Sequence, residues 1–251
     1  MKILLLILLA LLQQLHALIS ITPVEISASP GLSVNIETGL ETKRGNTHKD
    51  NYKASTRVTY DNNLSYVTWA ELSGEYGETN DIENTNKIYS HLRYIHKLSD
   101  NIVRWELFYQ NQEDKFKSIK VRRVSGAGLR FNMFDTLTET KGYFGVGVFN
   151  EYIRYIDTKL NLNENNIRLN TYLAYSLKFN NKSTLAYTLY YQPNIENFND
   201  YVVSNMFELK LNIYQKLFLK FTISYDIDSS VAYDVTSDYD FIQNTSFVYS
   251  F

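Results

Sequence analysis

The chain has 251 residues, a formal net charge of -2, no cysteine, three prolines and 21 tyrosines. Without cysteine there is no disulfide framework, no thiolate metal site and no lipidated cysteine, and a near-neutral charge argues against a nucleic-acid partner. Abundant Tyr and scarce Pro favour strands over helices, and a mean hydropathy of -0.29 excludes a bundle of membrane helices in the body of the chain.

Lys2 precedes the apolar run Ile3 to Leu12, and Gln13, Gln14, Leu15, His16 and Ala17 follow. A basic start, a short apolar core and a polar end predict a cleaved signal peptide over 1–17. The run is too short to span a bilayer, which takes about 20 residues. Cleavage after Ala17 places Leu15 at a position that prefers a small residue. Residues 18–31, with Pro23 and Pro30, are expected to form an N-terminal periplasmic segment ahead of a strand-rich region over 32–251.

From residue 32 apolar and polar residues alternate, and side chains on a strand alternate between its faces. The first strand sets Leu32, Val34, Ile36, Thr38 and Leu40 against Ser33, Asn35, Glu37 and Glu41. The second sets Tyr52, Ala54, Thr56, Val58 and Tyr60 against Lys53, Ser55, Arg57 and Thr59. The third runs from about Leu64 to Tyr76, with Glu71, Ser73 and Glu75 on its polar row. The fourth, near Lys87 to Leu98, opposes Ile88, Leu92 and Tyr94 to Lys87, His91 and Arg93. The fifth opposes Val103, Trp105, Leu107 and Tyr109 to Arg104, Glu106 and Gln110.

A sixth strand, about Phe116 to Phe131, contains the adjacent Arg122 and Arg123. Neighbours on a strand cannot share a face, so Arg123 is expected on the opposite side from Arg122, near a membrane rim where an outward Arg costs about 0–1 kcal/mol. The seventh, Gly142 to Tyr155, changes phase near Asn150, and a β-bulge there is the expected cause. The eighth opposes Ile167, Leu169, Thr171, Leu173, Tyr175, Leu177 and Phe179 to Arg168, Asn170, Tyr172, Ser176 and Lys178. The ninth opposes Leu185, Tyr187, Leu189 and Tyr191 to Thr184, Thr188 and Gln192; the tenth opposes Val203, Phe207, Leu209, Leu211 and Ile213 to Ser204, Glu208, Lys210 and Asn212. The eleventh, Leu217 to Asp228, places six apolar or aromatic residues on one row and Phe218, Lys220, Thr222, Ser224, Asp226 and Asp228 on the other. The last strand, from Phe241, ends with Phe247, Tyr249 and Phe251 on one face.

Tight turns are expected at Asp61-Asn62-Asn63, Ser99-Asp100-Asn101, Asn180-Asn181-Lys182 and Gln215-Lys216. Asn132 to Lys141 is longer than that pattern. Longer, polar links are expected at Gly77–Asn84, Asp157–Asn165, Asn194–Asp200 and Ser229–Asp240. Short turns at one end and longer loops at the other suit an outer-membrane barrel, and an even strand number puts both termini at the short-turn end. A sandwich would also show alternating rows. Charge decides between them, because the polar rows hold many ions of both signs, which a closed barrel keeps around its axis while apolar rows face lipid. The expected fold is all-β: a single antiparallel transmembrane β-barrel of about 12 strands, after a cleaved signal peptide.

With this strand map the sequence resembles the YdiY-like family of salt-induced outer-membrane proteins. The resemblance is carried by Gly45-Asn46-Thr47, Tyr89 to Tyr94, Arg104 to Phe108, Arg123 to Arg130 and the closing Phe247-Val248-Tyr249-Ser250-Phe251, and it covers the chain from about residue 34. It implies an outer-membrane location and an association with stress, and it supplies no catalytic residue. The closing aromatics Phe247, Tyr249 and Phe251 also resemble the assembly signal of bacterial outer-membrane barrels, which implies the barrel-assembly machinery as a partner during insertion.

The residues expected to line the lumen are Lys53, Arg57, Lys87, Arg93, Arg104, Glu106, Arg122, Arg168, Lys178, Glu208, Lys210, Lys220 and Asp226. Eight strands leave an interior filled by side chains and sixteen leave a water channel, so twelve fits either a narrow pore or a closed interior knitted by Arg–carboxylate pairs. His91 beside Ser90 could suggest an acyl hydrolase, but such an enzyme needs a nucleophile, a base and an orienting group together, and His91 falls on the polar row. His91 and His96 fall on opposite faces and are not expected to share a metal. Asp226, Asp228, Asp234, Asp238 and Asp240 offer oxygen ligands of the kind Ca²⁺ takes, without a calcium-loop spacing. A solvated acidic loop beside lipopolysaccharide is the simpler reading. No enzyme activity, cofactor or metal is expected, and the partners are membrane lipid and lipopolysaccharide around a monomer.

Overall fold

The computed structural model describes residues 30–43, 49–98, 102–134, 139–156, 163–179, 182–230 and 239–251. Twelve antiparallel strands close into one barrel, each bonded to its neighbours in chain order and β12 returning to β1. They are β1 (Gly31–Lys43), β2 (Lys49–Asp61), β3 (Tyr66–Thr79), β4 (Ile82–Lys97), β5 (Val103–Asp114), β6 (Ile119–Asn132), β7 (Thr140–Tyr155), β8 (Asn163–Phe179), β9 (Ser183–Pro193), β10 (Tyr201–Tyr214), β11 (Leu217–Asp228) and β12 (Tyr239–Ser250). Among the described residues the one helical element is a 3-10 turn at Lys115–Lys117. The signal peptide, residues 18–29, the turns expected at 99–101 and 180–181, and Asp234 and Asp238 lie outside the described residues.

Closure follows from the alternation. The outward rows are largely apolar and most charged residues fall on the inward rows, so the sheet is stable in lipid when it curls with the charged rows inward and leaves no open edge. The outward rows are exposed and greasy: Leu32, Ile36, Leu40, Leu72, Ile88, Leu92, Leu107, Val146, Leu173, Ile223 and Phe247 stand on them. Among the described residues no second sheet covers them; the sheet closes on itself.

Aromatic side chains mark two levels on the outer surface. At the end that carries the termini, Tyr60, Tyr66, Tyr94, His96 and Trp105 touch ring to ring from β2 to β5, and Tyr249 meets Phe251 at 4.7 Å between centroids. At the far end Tyr191 meets Tyr201 and Tyr225 meets Tyr239. Aromatic girdles of this kind sit at the two headgroup layers. A tilted strand crosses in about 9–11 residues, so β7 and β8, at 16 and 17 residues, project beyond the far girdle. Their outward residues there are polar: Asn150 donates to Asn165 at 2.8 Å.

Several local expectations are corrected. The link over Gly77–Asn84 is no long loop. Strand pairing continues to Thr79 opposite Ile82, and Asn80 and Asp81 make a two-residue turn with φ of 50° and 62°. Two left-handed residues match the twist of a hairpin, and Asn and Asp tolerate that backbone better than most. The bulge expected at Asn150 is absent, since register runs unbroken through it to both Ser125 and Ile167. The apparent phase slip arises because Asn150 faces outward beyond the girdle while Phe149 packs inward, 3% exposed. The irregularity lies instead near Lys120, where register shifts between Ile119 and Val121. Phe116 is not in β6; it belongs to the 3-10 turn, which Asp114 caps by accepting from the Lys117 amide at 3.1 Å. Arg122 is buried and Arg123 exposed, so the adjacent pair splits across the wall.

Candidate functional site

The lumen has two unlike sides. From β4 to β9 the inward row is almost continuously buried: Tyr89, His91, Arg93, Arg104, Glu106, Phe108, Val124, Arg130, Tyr143, Phe149, Tyr172, Ala186, Thr188 and Tyr190 all are. Glycines make this packing possible. Gly145 faces inward on β7, and a Cβ there would stand 2.0 Å from the Tyr172 ring. Gly128 and Gly147 sit opposite one another across the β6–β7 seam, where added Cβ atoms would meet backbone oxygens at 2.9 and 2.3 Å. The wall is bare where no side chain intervenes, and the rings of Tyr172 and its neighbours fill the hollow.

Over that hollow the Tyr172 hydroxyl donates to Glu106 Oε1 at 3.0 Å, linking β8 to β5. Glu106 in turn lies 3.8 Å from Arg93 Nη1. The Arg93 guanidinium is bracketed by the rings of Trp69 and Phe108, 5.6 and 5.2 Å from their centroids. Arg130 stacks 3.8 Å from the Tyr143 centroid, with Arg104 at 5.5 Å from the same ring. Stacking on a ring face offsets part of the cost of holding a cation out of water.

Towards the far end a second network fixes the β9–β10 loop. Glu151 accepts from Arg122 Nε at 2.7 Å and from Arg168 Nε at 2.8 Å. Arg168 also donates to Asp200 Oδ1 at 2.8 Å and to the carbonyls of Gln192 and Asp200 at 3.3 Å. Asn194 donates to Asp200 Oδ2 at 3.1 Å. A buried ion with all three nitrogens bonded is a staple, because removing one partner leaves the others charged and dry.

The other side, β10 to β12 and β1 to β3, is looser. Here much of the inward row is small or charged, and Asn35, Gly39, Lys53, Ser55, Arg57, Glu71, Ser73, Glu75, Lys210, Thr222, Ser224 and Asn244 are half-buried, although Val67, Trp69, Val202 and Val248 are buried among them. Lys53 pairs with Glu75 at 3.5 Å with side chains 31% and 34% exposed, whereas those of Arg93 and Glu106 are 5% and 1% exposed. Arg57 grips Glu71 with two donors at 2.8 and 2.5 Å. Lys220 pairs with Glu37 and lies 4.0 Å from Glu208, while the Ser246 hydroxyl donates to Glu37 at 2.7 Å. Lys210 stands 4.2 Å from the Phe218 centroid. Lys53, Glu75 and Arg57 reach water inside the barrel and keep their partners, whereas Glu37, Glu208 and Ser246 on the same side are buried.

With this geometry the relatives can be compared. A family model described as "Protein of unknown function, DUF481" matches residues 36–251. The chain belongs to that family. No curated protein matches it. Among solved structures, this DUF481 chain is similar to the translocator domain of autotransporter NalP from Neisseria meningitidis, at 11% identity and a TM-score of 0.53 over 89% of this chain and 88% of that one. At that identity the likeness is one of fold. The NanC porin aligns with 15% identity and a TM-score of 0.47, over 88% of this chain and 98% of its own.

The remaining expected lumen residues of the DUF481 chain take distinct places. Lys87 is buried opposite Asp114 on the β4–β5 ladder. Asp226 is buried and accepts from the Ser204 hydroxyl. Lys178 ends β8 on the inward row and is exposed. Phe247 and Tyr249 stand on the outer surface; the amide of Phe251 donates to Val34 at 2.8 Å, which ties the last residue to β1. His91 faces inward, with Nδ1 3.0 Å from the Tyr89 hydroxyl, and Ser90 faces outward, so the two share no face. Among the described residues no three His, Asp or Glu gather where they could hold a metal.

Sequence reasoning named most of the lumen's cations but not Arg130, and it left Glu37, Glu71, Glu75 and Glu151 out of the lining although it had set the first three on polar rows. It also missed Tyr172 and Tyr190 as lumen fillers. A signal was present. Each of these carboxylates lies on a polar row, and an enclosed Arg needs a carboxylate.

Proposed function

We propose that this protein is a narrow passive pore for small solutes in the outer membrane of a Gram-negative bacterium. On this reading the termini and short turns face the periplasm, and residues 1–17 direct export. The observation that carries the reading is the solvated side of the lumen, where Lys53, Arg57 and Glu75 keep about a quarter to a third of their side chains open to water. A solute path runs along these paired charges, past the wall of buried rings. The interior-facing ions of both signs favour small polar or zwitterionic solutes over large ions of one charge. The protein works as a monomer among membrane lipid and lipopolysaccharide, reaches the membrane through the barrel-assembly machinery with Phe247, Tyr249 and Phe251 as the signal, and carries no catalytic activity. Planar-bilayer recording of the folded protein tests it. Small steady conductance steps are expected, with an altered cation-to-anion preference in Lys53→Glu; a well-folded protein that never conducts contradicts the reading.

The second reading is a closed-lumen structural protein of the stressed envelope, in keeping with the salt-induced character that its YdiY-like motifs imply. It is favoured by the buried side, where Tyr172 reaches Glu106 and Arg168 staples the far loop. That reading expects silence in the bilayer and an envelope defect under salt stress when the protein is missing.

A further inference from the structure

At the far end β6 and β7 carry cations on the outside of the barrel. Lys120, Arg123 and Arg154 are all exposed there. Arg154 stands opposite Val121 on the ladder, which makes Arg123 its diagonal neighbour. Such neighbours lie about 7–8 Å apart, within reach of two guanidinium side chains. Lys120 is the residue left over where register shifts between Ile119 and Val121, so it stands beside the same pair. The acids and bases nearby are engaged elsewhere: Arg122 turns inward to Glu151, Lys115 holds Glu83, and Tyr155 donates to Glu164 at 3.1 Å. Among the described residues Lys120, Arg123 and Arg154 form no ion pair, and the exposed Glu113 on β5 is no exception.

These cations lie at a head-group level. Towards the terminus end the outward row of β6 reaches Phe131, which stacks with Phe144 at 6.3 Å between centroids. From Phe131 to Arg123 is one crossing for a tilted strand, about 9–11 residues. Between them Ala127 is flanked by Leu107 and Val148, all exposed and apolar. One row farther, Ser125 is flanked by Tyr109 and Asn150, where the wall turns from aromatic to polar. Beyond that row the outward residues of β7 and β8 include Tyr152, Asn163 and Asn165, paired in register with or beside Arg123 and Arg154. The cations therefore stand within a wall of amides that rises past the girdle. Arginine suits phosphate through parallel N–H donors, and amide side chains both donate and accept, as sugar hydroxyls require.

We propose that this outer face of β6–β8 is a docking site for one phosphorylated glycolipid of the outer leaflet. Arg123 and Arg154 hold a phosphate on the sugar head, and Lys120 adds a third positive charge. Asn163 and Asn165 face the sugar hydroxyls, and the acyl chains descend over Ala127 and Val148. Charge complementarity selects the occupant. Elsewhere on the described far rim Asp81, Glu113 and Glu196 are exposed and Lys115 is held by Glu83, so phosphate is drawn to this face. A phospholipid head is too short to use the amides above the girdle. The proposal rests on the outer-membrane placement and assigns the face that meets lipopolysaccharide. It lies outside the axial path and stands or falls independently of conductance.

Bisphosphorylated lipid A serves as the probe, added to the folded full chain in phosphatidylcholine nanodiscs and read by native mass spectrometry. One lipid A should be retained per barrel, and the same lipid stripped of both phosphates about tenfold less. Arg123→Gln/Arg154→Gln should lower retention of lipid A about tenfold. Lys182→Gln/Lys216→Gln removes as much charge from exposed positions at the terminus end and should leave retention unchanged. Equal retention by the arginine variant overturns the proposal, as does an equal loss in the lysine variant, which would reduce the effect to net charge. Phosphatidylglycerol held as tightly as lipid A would overturn the choice of a glycolipid. If the arginine variant fails to fold, the comparison of the two lipid A forms on the unaltered chain decides alone.

Discussion

The two sides of the lumen use the same chemistry to opposite ends. On β4–β9 the ions are buried, multiply bonded and stacked on rings; on β10–β3 the pairs Lys53–Glu75 and Arg57–Glu71 form across the strand ladder and stay wetter. The difference is set by what surrounds them. Tyr172, Tyr190, Tyr143 and Phe149 occupy the first side, and Ser55, Ser73, Thr222 and Ser224 stand at comparable inward positions on the second. An ion pair among rings loses its hydration and becomes structural. The same pair among serines remains close to a surface pair in worth. The contrast teaches that a charge on a barrel's polar row is no evidence of a passage until its neighbours are known.

The strongest way to break this comparison is to remove the staple. Arg168→Ala leaves Asp200 buried without its cation and Glu151 with Arg122 alone, and should cost about 3–5 kcal/mol, read from the urea midpoint for unfolding in vesicles. A change below about 1 kcal/mol would place Arg168 with the wet pairs. Next is Gly145→Ala. The new methyl meets the Tyr172 ring, which Glu106 and Tyr190 hold in place, so overpacking should cost about 1–3 kcal/mol. Smallest in stability is Lys53→Ala. Losing its bond to Glu75 should shift stability by about 0–1 kcal/mol, while the ion preference of the conductance moves towards cations. Equal stability losses from Arg168→Ala and Lys53→Ala would erase the distinction between the two sides.

Much of the wall was legible because a membrane barrel imposes one rule at every residue. Lys220 and Arg168 had to turn inward if Leu219 and Leu169 turned outward, and they do. Hairpins rich in Asn and Asp were legible as turns, but the reach of pairing was not: nothing local says that Glu78 joins the ladder before Asn80 and Asp81 turn. Asn150 misled because the rule holds only inside the apolar band, and the length of β7 beyond that band depends on its partners. The interior was least legible. Tyr172 and Glu106 are 66 residues apart and meet only because Gly145 and Gly147 leave the wall bare between them. The short β1–β12 ladder, four pairs from Asn35–Ser250 to Thr38–Phe247, is a property of closure, and no single strand carries it.

The solvated side is tested most directly by single cysteines in the otherwise cysteine-free chain. Ser55→Cys, Ser73→Cys and Thr222→Cys are placed on the wet side, and Val124→Cys, Ala174→Cys and Ala186→Cys on the packed side. A charged, water-soluble thiol reagent applied to the folded protein in vesicles should label the first three fast and reduce their conductance, leaving the second three unlabelled. Equal labelling of both sets, or none in either, would contradict a lumen divided into a packed wall and a wet path.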